Sequence, residues 1–133
     1  MEIICLDSNI LIDFWRDKSV EKSSSVLLKL STNYSFAVSS IVVYELLKGD
    51  KSDADIFWNN FFSNIKVLPF ELITAQEASR IYHLLKSKGK IIGVEDILIA
   101  ATAIHHKLKL ATLNKKHFEN IEHLNLIEFE HIV

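Results

Sequence analysis

"IICLDSNILIDFW", residues 3 to 15, runs apolar up to a carboxylate, turns polar through Ser8 and Asn9, and becomes apolar again at a different spacing. Residues 2 to 6 read as a buried strand. From 8 to 17 the apolar residues Ile10, Leu11, Phe14 and Trp15 recur at helical spacing. A buried strand passing directly into a helix is the opening unit of a parallel α/β sheet, and Asp7 stands at the joint.

The alternation continues outward from that joint. "KSVEKSSS", residues 18 to 25, joins or opens helices, and a helix is expected over 21–31. "SFAVSS", residues 35 to 40, reads as a second strand, followed by a helix over 41–48 stopped by Gly49 as C-cap. A helix over 53–64 precedes a third strand in "IKVLPF", residues 65 to 70. Thr74 with Glu77 has the spacing of a capping box opening a helix that runs to Gly89. Gly93 precedes a long helix over 94–107. "LKLAT" (108–112) and "LIEFE" (126–130) complete the set as fourth and fifth strands. There is no internal repeat and no low-complexity segment. Such an order argues for a parallel sheet covered on both faces, and in such sheets ligands bind beyond the carboxyl ends of the strands, where the strand order reverses.

Length and composition are consistent with this. The 133 residues, 49% of them apolar, suffice for one domain, 1–133, with a single core. No apolar run approaches the roughly 18 to 20 residues of a membrane span, and no basic segment with a cleavage site opens the chain. The lone Cys5 precludes an intrachain disulfide and is read as a small core residue, which fits a reducing, cytoplasmic setting. The net charge of −2 conceals an uneven distribution: eight basic residues against two acids lie between Arg80 and Lys116, and four acids without Lys or Arg follow from His117 onward. A phosphate-binding surface can sit within that neutral total, and so can ordinary solvated helix faces.

Three acids occupy element ends or apolar helical runs. Asp7 closes the first strand. Glu45 lies in "SSIVVYELLKG", read as sharing a helical face with Ile41, Tyr44 and Lys48. Asp96 opens "EDILIAATAIHH", apolar enough to pack against the sheet. Each has an ordinary alternative: Asp7 as an N-cap, Glu45 as an exposed helix residue, Asp96 as a partner of the helix dipole. Together they would repel one another by several kcal/mol, and a cation resolves the repulsion. All-oxygen ligation points to Mg²⁺ or Mn²⁺ rather than zinc.

"DSNILID", "SSIVVYELLKG", "GVEDILIAATAI" and "LATLNKKHF" together resemble the four sequence blocks of PIN-domain ribonucleases, in particular the VapC-type toxins of toxin–antitoxin pairs. The resemblance spans nearly the whole chain in order. It implies a Rossmann-like three-layer α/β/α sandwich with a mostly parallel sheet of four to five strands. It further implies metal-dependent cleavage of RNA phosphodiesters, a homodimer, and a VapB-like antitoxin that blocks the site. Asp7, Glu45 and Asp96 match the family's acidic positions, and Ser8-Asn9 keeps the hydroxyl-then-amide character of its first block. In the fourth block many members place an acid where this chain has His117. Histidine is a familiar variant there, so the resemblance still implies an enzyme. The imidazole is open to three roles: metal ligand, water positioning, or protonation of a leaving oxygen. A bland hydrogen-bonding role at the rim is equally open. Glu95 and Glu119 are candidates for the missing charge.

On this reading Asp7, Glu45 and Asp96 hold the ion, and Asn9, Thr112 and Asn114 support the site. Thr112 and Asn114 either bond water or phosphate oxygens or shape the loop. Lys115, Lys116, Lys88 and Lys90 are candidates for phosphate contacts. "IFWNNFF" places Phe57, Trp58, Phe61 and Phe62 on one broad helix face. That face is read as core, with a groove for an amphipathic antitoxin helix as the sharper alternative. Two rivals are weaker. Haloacid-dehalogenase-like phosphatases need an aspartate where Asn9 stands, and receiver domains need paired acids ahead of the phosphoacceptor. A weak or inactive binding module, its acids facing a basic partner, is the remaining alternative, motivated by His117.

Overall fold

Glu2–Leu6 forms β1, and its last three residues, Ile4, Cys5 and Leu6, are wholly buried. In the computed structural model, which describes residues 1–49 and 53–129, β1 is an inner strand of a four-stranded sheet. Its partners are β2 (Tyr34–Ser39), β3 (Lys66–Leu68) and β4 (Leu110–Ala111), in the order β3-β2-β1-β4 and all parallel. The connection direction reverses at β1: the chain moves out to β2 and β3, then returns past β1 to β4. Right-handed crossovers on the two sides of such a point lie on opposite faces of the sheet. Helices α1 (Ser8–Arg16), α2 (Val26–Leu30), α3 (Ser40–Leu47) and α4 (Asp53–Phe62) belong to the outward crossovers. Helices α5 (Leu72–Ser87) and α6 (Val94–His105) belong to the return, and α7 (Lys115–Phe118) follows β4. The result is an α/β/α sandwich.

The core explains why α6 is so rich in alanine. Ile97 and the run from Ile99 to Ala103 are buried, so this helix is enclosed almost all round. It packs along α5, where small side chains permit close approach. Cys5 lies in the same core, and burial pushes its thiol up to about 12, so it is an inert packing residue. The aromatic face of α4 divides: Trp58 and Phe62 are buried, while Phe57 and Phe61 are partly covered and stack on each other, with Phe57 tilted against Trp15 of α1. Among the described residues no helix is long and apolar enough to cross a membrane.

Several boundaries differ from the sequence reading for identifiable reasons. The helix expected over 21–31 is broken. Val20–Lys22 makes one 3₁₀ turn with Glu21 and Lys22 at positive φ, and α2 starts only after Ser25, whose hydroxyl caps it by accepting from the Leu28 N–H. Ser40 belongs to α3 rather than β2, because the Ser39 hydroxyl accepts from the N–H groups of Ile41 and Val42 and starts the helix there. Lys48, not Gly49, is the C-cap of α3. The capping box of α5 lies one turn earlier: Glu71 is the N-cap and its N–H donates to the Thr74 hydroxyl, while Glu77 pairs with Arg80 instead. Gly89 does end α5 at φ 68, with the Lys90 N–H bonded to the Leu85 carbonyl and the Gly89 N–H to that of Lys86. β3 is confined to Lys66–Leu68 and β4 to Leu110–Ala111. The fifth strand reduces to one parallel bridge between Leu110 and Leu126, and its last residue lies outside the described residues.

Candidate active site

The carboxyl ends of β1 and β4 adjoin, and the Asp7 N–H donates to the Ala111 carbonyl at 2.9 Å. Asp7 is therefore both the last residue of the strand ladder and the N-cap of α1. Its Oδ1 accepts from the Ser8 N–H at 2.8 Å and its Oδ2 from the Thr112 hydroxyl at 2.7 Å. Only 4% of the residue is exposed. Burial raises its carboxyl above the ordinary range, against the two hydrogen bonds, and the charge of Asp96 pushes in the same direction. Capping and a charged role thus coexist in one side chain.

Thr112 organises the facing loop. Besides donating to Asp7, its oxygen accepts from the Asn114 N–H at 3.0 Å and from the Asn9 amide at 3.3 Å. Asn9 in turn accepts from the Leu113 N–H at 3.1 Å. Thr112 and Asn9 tie the β4–α7 loop to the start of α1, with Thr112 buried under it. Of the two roles open to Thr112 in the sequence, the structure supports loop shaping.

Asn114 caps α7, whose Phe118 is buried and anchors the short helix in the core. That places His117 against the first turn of α6. Its Nδ1 lies 2.9 Å from Asp96 Oδ2 and 3.0 Å from the Asn114 amide. One ring nitrogen cannot accept from an amide and donate to a carboxylate at once. With Asp96 as carboxylate, Nδ1 carries the hydrogen and donates it there, so the Asn114 amide nitrogen beside it is a neighbour rather than a donor. Nε2 is then the nitrogen left for a ligand or a proton.

Glu45 approaches from α3. Its carboxyl has the Ser8 side chain as a neighbour that lowers its pKa, yet Oε1 is buried with no hydrogen-bond partner among the described residues. Burial raises its carboxyl, and the charges of Asp7, Glu95 and Asp96 add to the effect. The structure thus brings together Asp7, Glu45 and Asp96 with Ser8, Asn9, Thr112, Asn114 and His117. Glu95 contributes charge from the edge and stands 4.0 Å from Lys48, while Glu119 is exposed beyond α7. Lys115 is engaged with Glu128 at 2.6 Å and lies over the Phe129 ring, and Lys88 pairs with Glu122. Lys116 and Lys90 are exposed. The influence of the Ser8 side chain on Glu45 was not anticipated, although a hydroxyl directly after Asp7 is the signal that could have suggested it.

Among the described residues no three such side chains form a closed chelating group; the acids are neighbours that sense one another's charge. The donor set nevertheless suits a hard cation. It consists of carboxylate oxygens, one of them buried and unpartnered, and two of the acids are destabilised as anions where they stand.

An α/β/α sheet with acids from three elements gathered at its strand-order reversal is the architecture of a class of small nucleases. The PIN domain family model matches residues 4–124, and the chain belongs to that family. It is 33% identical to ribonuclease VapC1 of Rickettsia felis over 133 residues, covering 93% of this chain and 94% of that one. It is 30% identical to ribonuclease VapC1 of Methanocaldococcus jannaschii, covering 92% of this chain and 84% of that protein. Among solved structures it is similar to VapBC2 from Rickettsia felis bound to a DNA fragment from its promoter, with TM-score 0.78, 30% identity, and coverage of 94% and 97%. VapBC-1 from nontypeable Haemophilus influenzae superposes with TM-score 0.81 at 24% identity, covering 96% and 98%, a likeness of fold.

Proposed function

We propose that this chain is a metal-dependent endoribonuclease, the toxin of a VapBC-type pair, with Mg²⁺ or Mn²⁺ held by Asp7, Glu45 and Asp96. The observation that carries the metal site is the buried, unpartnered Glu45 Oε1 beside a second raised carboxyl, Asp7. The names of the relatives support the ribonuclease activity and the VapB-like partner. A divalent ion, when bound, supplies a water of lowered pKa and a Lewis acid for the phosphate. The protein's own contribution is positional. Thr112 and the Ser8 N–H fix both Asp7 oxygens, and His117 orients Asp96. His117 Nε2 is placed to act as a ligand or to protonate a leaving oxygen. Hydrolysis by water at such a site leaves a 3′-hydroxyl and a 5′-phosphate. Lys116 and Lys90 are the exposed cations for phosphate contact. The half-covered Trp15, Phe57 and Phe61 suit the apolar anchors of an antitoxin helix, and the chain is read as a homodimer when free of it.

The test compares purified wild-type protein with Asp7→Asn and Asp96→Asn on RNA, with and without Mg²⁺ or Mn²⁺. Both variants should stay folded and lose cleavage. Wild-type turnover by Asp7→Asn would exclude the metal site, and metal-independent binding without cutting by the wild type would favour the inactive binding module.

A further inference from the structure

Tyr44 precedes Glu45 on α3 and is 58% exposed, between the buried Val42 and Leu46. A large aromatic ring left in water beside an acid cluster calls for an explanation. Lys48, one turn on, places its ammonium 5.1 Å from the Tyr44 ring centroid. The same ammonium lies 4.0 Å from Glu95, whose charge acts on Glu45. The ring and the cation therefore form a unit on the rim of the acids, on the α3 side.

We infer that Tyr44 and Lys48 form a subsite for one unpaired nucleotide flanking the cut, its base stacked on the Tyr44 ring and its phosphate facing the Lys48 ammonium. This rests on the ribonuclease reading above. Single-stranded RNA is held through unstacked bases on aromatic side chains together with cations that follow the backbone, and α3 supplies both at adjacent turns. The lysine argues for this occupant: its charge complements a phosphate, and the phosphate releases it from the long contact with Glu95. Because Tyr44 and Glu45 are consecutive, the subsite sets which nucleotide neighbours the scissile phosphate, so it governs cut-site preference rather than the chemical step.

The experiment uses a short single-stranded RNA cut by the wild-type protein in Mn²⁺, and the same RNA with an abasic ribose at each position flanking the cut in turn. Steady-state kinetics are measured for wild type, Tyr44→Phe, Tyr44→Ala and Lys48→Gln. Tyr44→Ala should raise KM roughly tenfold, within the range for loss of one stacked base, with kcat within about twofold. Tyr44→Phe should match the wild type. On one of the abasic RNAs wild type and Tyr44→Ala should become equal, a convergence that a structural role would not produce. Lys48→Gln should flatten the salt dependence by about 0.7 in log–log slope, the value for one phosphate contact on a single strand. An unchanged KM for Tyr44→Ala, with wild-type cleavage intact, overturns the inference alone. A shift in sedimentation for Tyr44→Ala with KM unchanged also overturns it and makes the patch a protein contact. A wild-type protein that cuts no RNA with either metal removes the ribonuclease reading, and the inference falls with it.

Discussion

His117 stands against the first turn of α6 beside the acids, and its neighbours define what the imidazole does there. The ring is held through Nδ1 by Asp96, so its role is tied to that carboxylate. Imidazole nitrogen is a poorer partner for Mg²⁺ than for Mn²⁺. Cleavage should therefore run faster with Mn²⁺, and His117→Asp should narrow the difference by restoring an oxygen ligand. His117→Ala should keep measurable activity, reduced roughly 10- to 100-fold, the usual cost of removing a group that orients a metal ligand. Metal titrations of the three proteins at one pH decide between the roles. A dead alanine variant makes the histidine indispensable as ligand or proton donor, and an aspartate variant with unchanged metal preference puts it outside the coordination sphere.

At the level of elements, the site is one joint, the carboxyl ends of β1 and β4, closed by a hydroxyl. Thr112→Val keeps the shape but leaves an Asp7 oxygen and the Asn114 N–H without their partner, at about 1–3 kcal/mol for each group left unsatisfied. The melting temperature should fall by several degrees, at roughly 2–4 °C per kcal/mol, and kcat should fall with it, whereas Thr112→Ser restores both. Wild-type kcat in the valine variant would mean that the loop is positioned by other contacts. This joint was only half legible in the sequence. Asp7 was visible because a change of hydrophobic period surrounds it, and that signal is local. Thr112 was legible as a residue of the loop, but its bond to Asp7 was not, because that partner lies 105 residues away and only the sheet brings them together. Elsewhere the local signal was ambiguous. Glu71-to-Thr74 and Thr74-to-Glu77 have the same spacing, and the choice fell to Arg80, which pairs with Glu77. The run of serines before Val26 offered several caps, and Ser25 won because the Val26 N–H also donates to Asp13. The last apolar stretch paired with β4 at a single residue, since β4 is itself only two residues long.

For the whole molecule, the acid site opposes folding whenever it is charged and empty. Asp7 and Glu45 have raised carboxyl pKa values in the folded chain, so their contribution favours folding most below the ordinary carboxylate range, near 4. As pH rises from there through the raised folded values, the unfolded chain releases protons first and stability is lost. Asp17 and Glu77 are lowered, by the Ser19 N–H and by Arg80 respectively, so their stabilisation holds above the ordinary range and is lost only as pH falls through their lowered values. The two pairs act in separate windows. His106, held below the ordinary imidazole range by burial, gains stability as pH rises through the same window, so the acids are read by difference: metal-free wild type should lose stability from pH 5 to 7 relative to Asp7→Asn, which should melt higher at pH 7. Added Mn²⁺ should invert the trend, because it binds the deprotonated acids and stabilises in proportion to the logarithm of its concentration over Kd. The gain should grow with pH and vanish in Asp7→Asn. Thermal melts across pH with chelator or Mn²⁺ read all of this without any RNA. An Asp7→Asn variant with the pH slope of the wild type, together with an equal Mn²⁺ gain, would show that these acids neither strain the fold nor hold the ion.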